Sequence, residues 1–482
     1  MINNSFFAYF ESLREKFKHM RKLISISIIL FFHFALFSQN VTISGIAMGA
    51  ENENIRITKY KDQISYLEET IGEAVIDSIG KFSMSFQLDE TSYTKINLGF
   101  HNAGFYIEPD GIYEIFIPAD PEGSFFRLNP TYDSPYLNYE IINSDDYELN
   151  SMISKLNIVF EDFIIDNFNA IYRQRQRDKI DTLKRIIKTV FTKRSNKYFN
   201  DYVEYKIALI EQLARLKNRN SIEKQYFKTR SILYENIEYM DLFNQFYSKY
   251  LTASNKKIDR YELIKIINGG EAYLELMDLL SDEKDFSFEI FRELVILKSL
   301  KDLYFLPEFS SNEIISQFEF ISENGIFDKN RQIANDLIFD LTQFNTGAPA
   351  PYFALSDRND KVKSLEDFRG KYVYLNFWAS DCIPCLLEMD SLRNLRNKYE
   401  NEIEFVSIAV DDEKEIMFKR VSELNYDWTI LDYAHDISLL EKYKIKAYPF
   451  YVLIDKEGNI LKYPANSPSE NVDKLFLELV IQ

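Results

Sequence analysis

The chain has 482 residues and two cysteines, Cys382 and Cys385, set in the run Trp378-Ala379-Ser380-Asp381-Cys382-Ile383-Pro384-Cys385. Two thiols at this spacing, at the start of one helix, can form a tight and reversible disulfide. The first thiol meets a substrate disulfide, and the second, about one helical turn behind, resolves the mixed disulfide. Cys382 is the expected nucleophile, because a thiol at a helix N-terminus gains thiolate stabilisation from the helix dipole and the unsatisfied backbone N–H groups. Cys385 is then the resolving thiol. On spacing alone, a structural disulfide and half a metal site are the alternatives. The first would close only a tiny loop and constrain the unfolded chain little. The second needs a further Cys or His pair, and the four histidines (His19, His33, His101 and His435) do not supply one at ligand spacing. Redox chemistry is the reading the spacing favours.

The elements that must position the pair are legible around it. Lys371–Phe377 is apolar and rich in β-formers, which predicts a buried strand running straight into the cysteines. Pro384 fits the first turn of the helix that follows, where its missing N–H is no loss. Lys456-Glu457-Gly458-Asn459 reads as a hairpin turn, with Gly458 able to take a positive φ.

Residues 347–482 resemble the TlpA- or ResA-like family of thioredoxin-like thiol-disulfide oxidoreductases. The likeness lies in Gly347-Ala348-Pro349-Ala350-Pro351-Tyr352-Phe353, in Ser364–Lys371, in Cys382–Met389, and in Ala447-Tyr448-Pro449-Phe450 with the strand after it. It covers under a third of the chain. The resemblance implies an α/β thioredoxin-like fold and a cis peptide at Pro449. It places the Tyr448 carbonyl where a substrate backbone can pair with it, and Trp378 beside the site, so that Trp378, Tyr448 and Pro449 are the expected substrate-facing residues. Glu388, three beyond the second cysteine, is the expected third catalytic residue, a carboxyl behind Cys385 that shuttles a proton. No bound cofactor is expected. The implied partners are protein thiols and disulfides, with electrons arriving from a membrane reductant or another thiol protein. Three positions depart from the family pattern. Asp381 brings a negative charge next to the first thiol and disfavours its thiolate. Asp390 stands where a proline often kinks the helix. Asn376 stands where thioredoxin carries a buried aspartate. A peroxidase reading ranks lower, for want of a Thr-x-x-Cys arrangement.

By pattern the chain divides into an N-terminal extension with a signal peptide (1–38), a β-rich domain (39–130), a helical domain (131–340) and the thioredoxin-like domain (341–482). The expected fold class is therefore multidomain: an N-terminal β-sandwich, a central α-helical region and a C-terminal α/β thioredoxin-like fold. Met20-Arg21-Lys22 and the apolar run of about fifteen residues from Leu23 to Phe37 have signal-peptide architecture, shorter than the roughly twenty residues of a membrane span. That predicts a periplasmic or cell-envelope address, with an inner-membrane signal anchor as the alternative. Residues 1–19 do not resemble a signal n-region, which makes Met20 a candidate start. Phe82, Met84, Phe86 and Leu88 alternate as a strand does, and Phe105–Ile107, the Pro109-Asp110-Gly111 turn and Ile112–Ile117 predict a hairpin. His101 is expected in a surface loop. From Ile158 to Phe339 apolar and charged residues alternate at helical spacing, broken at Asn268-Gly269-Gly270 and at Pro307. A formal charge of −18 argues against nucleic acid and against anionic membrane surfaces.

The function read from these features is a thiol-disulfide oxidoreductase that reduces protein disulfides outside the cytoplasm. The alternative is a secreted interaction or scaffold protein with a vestigial redox pair. Ile383 and Pro384 offer the thiolate no histidine, and Asp381 opposes it, so the pair should be reducing. Equilibration with glutathione buffers should give a potential nearer about −270 mV than about −120 mV, and a value above about −160 mV would reverse the inferred direction.

Overall fold

The computed structural model describes residues 40–120, 136–192, 196–227, 231–254, 258–281, 288–411 and 413–481. The expected signal peptide and the segment before it lie outside the described residues.

The chain first builds two facing sheets. Its strands are β1 (Asn40–Ala47), β2 (Asn54–Tyr60), β3 (Glu68–Val75), β4 (Lys81–Gln87), β5 (Ser92–Leu98), β6 (His101–Ile107), β7 (Ile112–Ile117) and β8 (Glu140–Ile141). They assemble in the orders β4-β1-β7-β8 and β3-β2-β5-β6. Alternate residues point inward, as a half-buried strand requires, and Val41, Ile43, Ile57, Ile96, Phe105 and Ile115 meet in the layer between. Gly45 lets β1 and β7 lie side by side: a Cβ there would stand 1.9 Å from the Ile115 carbonyl oxygen. The expected hairpin at Pro109-Asp110-Gly111 is not one. β6 pairs with β5, while β7 pairs in parallel with β1, so the turn carries the chain from one layer to the other. Both strands turn their apolar sides to the shared core, an arrangement that strand alternation alone cannot tell from a coplanar pair. His101 is a strand residue, only 7% exposed, with Nε2 3.9 Å from the Asp120 carboxylate, and not a surface-loop residue.

The middle of the chain is helical: α1 (Leu149–Phe168), α2 (Arg177–Val190), α3 (Lys197–Leu213), α4 (Arg219–Tyr226), α5 (Ile237–Phe246), α6 (Arg260–Asn268), α7 (Ala272–Ser281), α8 (Glu289–Tyr304), α9 (Ser311–Asn324) and α10 (Asp328–Thr342). Side-chain caps start many of them. Asn196, Asn218, Asn236, Asp259 and Ser310 each accept from a backbone N–H in the first turn, which satisfies donors that would otherwise have no partner. The abundant aromatics pack here, with Phe227, Tyr239, Phe243, Tyr247 and Phe291 ring against ring.

The segment between β2 and β3 enters this helical core. Ile64 is 1% exposed and packs among helical side chains. Its turn is closed by Asp62, whose Oδ1 accepts from the Ile64 and Ser65 N–H groups at 2.6 Å each. The helices hold the turn's carbonyls in return: Lys301 Nζ donates to Ile64 and Asn244 Nδ2 to Gln63.

The last part is a seven-stranded sheet, from β9 (Ala354–Ser356), β10 (Val362–Ser364), β11 (Tyr372–Trp378), β12 (Ile403–Ala409), β13 (Thr429–Asp432), β14 (Phe450–Ile454) and β15 (Ile460–Lys462). Its order is β10-β9-β13-β12-β11-β14-β15. β11, β12 and β13 are parallel, and β14 runs against β11. Helices α11 (Ile383–Tyr399), α12 (Lys414–Glu423), α13 (Ile437–Lys442) and α14 (Val472–Ile481) complete it. Val373 to Trp378 are all buried, the pattern of a central strand covered on both faces. β14 and β15 are joined by a turn with Gly458 at φ +82°. Among the described residues no helix is long and apolar enough to cross a membrane.

Replacing Ile64 by Ala should leave a void where the β part enters the helices and cost about 2–4 kcal/mol. The denaturant midpoint of the full-length protein reads this, and an unchanged midpoint would show that Ile64 contributes no packing there.

Candidate active site

β11 ends at Trp378, and four residues later α11 begins with Cys382 as its capping residue. The link is a tight turn, with Cys382 N donating to the Ala379 carbonyl at 3.2 Å. Cys382 and Cys385 are joined in a disulfide, Cα to Cα 5.2 Å. Cys385 N also donates to Cys382 Sγ at 3.2 Å, so the sulfur nearer solvent already sits against a helix N–H that would stabilise its thiolate. Cys382 is 9% exposed and Cys385 not at all. Pro384 occupies the first turn. The helix continues unbroken through Asp390 to Tyr399.

The Tyr448–Pro449 peptide is cis, and the Tyr448 carbonyl oxygen lies 3.9 Å from Cys382 Sγ. The structure thus brings Cys382, Cys385, Tyr448 and Pro449 together. Two expected residues are placed differently. Trp378 is fully buried, edge-on to Tyr426, so it packs behind the site and does not face a substrate; as the last residue of a strand covered on both sides, its ring has no route to the surface. Glu388 is half-buried, and its carboxylate is held by the Pro468–Glu470 turn and not by the sulfurs. It accepts from Ser469 N at 3.1 Å, from Ser467 Oγ at 3.4 Å and from Ser469 Oγ. Burial, and secondarily the Glu388 charge, push the Tyr451 phenol above its ordinary range.

Two further groups shape the site, and of their residues the sequence reading singled out Asn376 but not Asp411, Ser407 or Trp428. Asp411, just beyond β12, accepts from Ser380 N at 3.0 and 3.1 Å and from Ser380 Oγ, which fixes the turn before Cys382. Its signal was a carboxylate at the C-terminal end of the strand beside β11, where sites in such sheets form. Beneath the helix a neutral chain is buried: Trp428 Nε1 donates to Ser407 Oγ at 2.8 Å, Ser407 Oγ donates to Asn376 Oδ1, and Asn376 Nδ2 lies 3.6 Å from Met389 Sδ. Each polar atom of that chain is paired, which is the condition for burying it. Asn376 thus fills the strand position with hydrogen bonds and no charge.

Residues 345–475 match the Redoxin family. The thiol-disulfide oxidoreductase ResA of Geobacillus thermodenitrificans is 31% identical over 140 residues, which span 29% of this chain and 80% of that protein. This chain belongs to the thioredoxin-like thiol-disulfide oxidoreductases. ResA of Bacillus subtilis is 28% identical over 151 residues, 31% of this chain and 83% of its own length. Among solved structures, a thiol-disulfide oxidoreductase from Bacteroides fragilis is 26% identical, covering 27% of this chain and 98% of that chain, with a TM-score of 0.25. Of the two cysteines, only Cys382 has exposed surface.

After reduction, a short pulse of iodoacetamide at neutral pH should therefore label Cys382 well before Cys385, read by peptide mass spectrometry. Equal or reversed labelling would overturn the order of the two thiols.

Proposed function

We propose that this oxidoreductase reduces disulfides in other proteins outside the cytoplasm, with Cys382 as nucleophile and Cys385 as resolving thiol. The observation that carries the reading is the asymmetry of the pair: one sulfur at the helix start and partly exposed, the other sealed beneath it. In the reduced enzyme the Cys382 thiolate attacks one sulfur of the substrate disulfide and expels the other as a thiolate. A mixed disulfide forms, and Cys385 then attacks Cys382 Sγ, which releases the second substrate thiol and restores the Cys382–Cys385 bond. Two electrons pass to the substrate, and a thiol or membrane reductant must return them.

The Tyr448 carbonyl, beside Cys382 Sγ, suits pairing with a substrate backbone N–H, and the cis Pro449 shapes that surface. Ile383 and Leu387 are 72% and 68% exposed on the same helix and give an apolar landing for an unfolded chain. Glu388, one turn past Cys385, would exchange protons near the pair only after releasing Ser467 and Ser469. The apolar run after Met20-Arg21-Lys22 is what supports export, and the absence of other cysteines suits a compartment where a stray thiol would be miswired.

A Cys385→Ser variant cannot resolve the mixed disulfide. Incubated in its reduced form with a scrambled, disulfide-bonded protein, it should accumulate a covalent, reductant-sensitive adduct through Cys382, and Cys382→Ser should form none. A Cys385→Ser protein that stays monomeric and unadducted would favour the scaffold reading with an idle pair.

A further inference from the structure

Two ion pairs and one carboxylate–histidine contact join the first two parts of the chain to the thioredoxin-like part among the described residues, and all three end between His435 and Lys444. Arg56 on β2 grips Glu441 on α13 with both nitrogens of its fork, at 2.8 and 2.7 Å. Glu53, in the turn before β2, meets His435 Nδ1 at 3.2 Å. Asp340 on α10 accepts from Lys444 Nζ at 2.8 Å. The gripped segment is held in a demanding backbone path: Ala434, His435 and Lys444 have φ of 53°, 58° and 48°, the left-handed region that side chains disfavour. A fourth contact reinforces its end. Phe344, just past α10, stacks on Tyr463 at 3.8 Å, and the Tyr463 hydroxyl donates to the Tyr443 carbonyl at 2.6 Å. Four residues beyond Lys444 comes Tyr448, whose carbonyl stands over Cys382.

We propose that Arg56, Glu53 and Asp340 are positioning residues for disulfide exchange, acting through α13 and its flanks to set the loop that carries Tyr448 and Pro449 against the redox pair. None of the three touches a sulfur. Each is supplied by a different element outside the catalytic fold, yet all act on the one stretch that leads into the substrate-facing loop. The β and helical parts would then do more than tether the oxidoreductase. They would complete the half of its substrate surface that α11 does not provide. The inference rests on the reading above, in which a substrate backbone pairs with that loop.

The full-length protein is compared with Arg56→Met, which keeps most of the apolar stem and leaves Glu441 at a surface where water can solvate it. Two disulfides are used: a disulfide-bonded peptide long enough to lie along the loop, and a small aromatic disulfide that touches only the sulfur. The variant should raise KM for the peptide about fivefold and change turnover of the small disulfide by less than about twofold. Arg56→Lys keeps the charge without the fork and should fall between. Amide exchange in the peptide covering 443–450 should rise about fivefold in Arg56→Met. Unchanged peptide KM, or equal losses on both disulfides, would overturn the positioning role, and so would unchanged amide exchange. If the wild-type protein ignores the peptide while exchange still responds to Arg56→Met, the substrate reading fails and the brace stands.

Discussion

The sulfur chemistry depends on where a buried strand stops. β11 is covered on both faces, so its residues have almost no freedom, and the chain that leaves it must turn within four residues to start α11. That turn sets Cys382 at the helix cap and Cys385 inside the first turn. The difference in exposure between the two sulfurs follows from the fold, with no residue dedicated to producing it. The Asp411 carboxylate clasps Ser380 from the neighbouring strand and keeps the turn from relaxing. The helix N–H that reaches Cys382 Sγ favours its thiolate.

Below the pair the interior is polar but uncharged. Trp428, Ser407 and Asn376 form one chain of hydrogen bonds that ends on the Met389 sulfur. Such a chain fixes the underside of α11 without the desolvation cost of a carboxylate. The one carboxylate on the same helix near the pair, Glu388, is turned toward the Ser467–Ser469 turn.

Much of this was legible from residue types. The cysteine spacing, the β-rich run before it, the Pro384 turn and the Gly458 hairpin are local features, and local chemistry decides them. The helix breaks at Gly269-Gly270 and near Pro307 belong to the same kind. What escaped was set by distant partners. Trp378 reads as an aromatic at a strand end, and only the covering elements reveal that it is sealed. The step from β6 to β7 has the residues of a hairpin, and strand alternation carries no information about which layer the next strand joins. His101 is polar, and its burial depends on a sheet that brings Asp120 near it. Glu388 could be placed on its helix by counting, but its direction is chosen by serines about eighty positions later in the chain.

The manner in which the three parts are joined differs, and the difference bears on how such a chain can be inherited. Ile64 makes the β part and the helical part share one hydrophobic core, so neither can be exchanged for a stranger without leaving an apolar side chain stranded or a cavity unfilled. The oxidoreductase part is joined to them by charged contacts, whose individual cost of loss is small, and by Phe100, which packs against its core. A lineage could therefore trade one catalytic module for another behind the same two-part platform, provided the newcomer kept acceptors for Arg56, a cation for Asp340 and an apolar seat for Phe100. The platform itself would travel as a single heritable block.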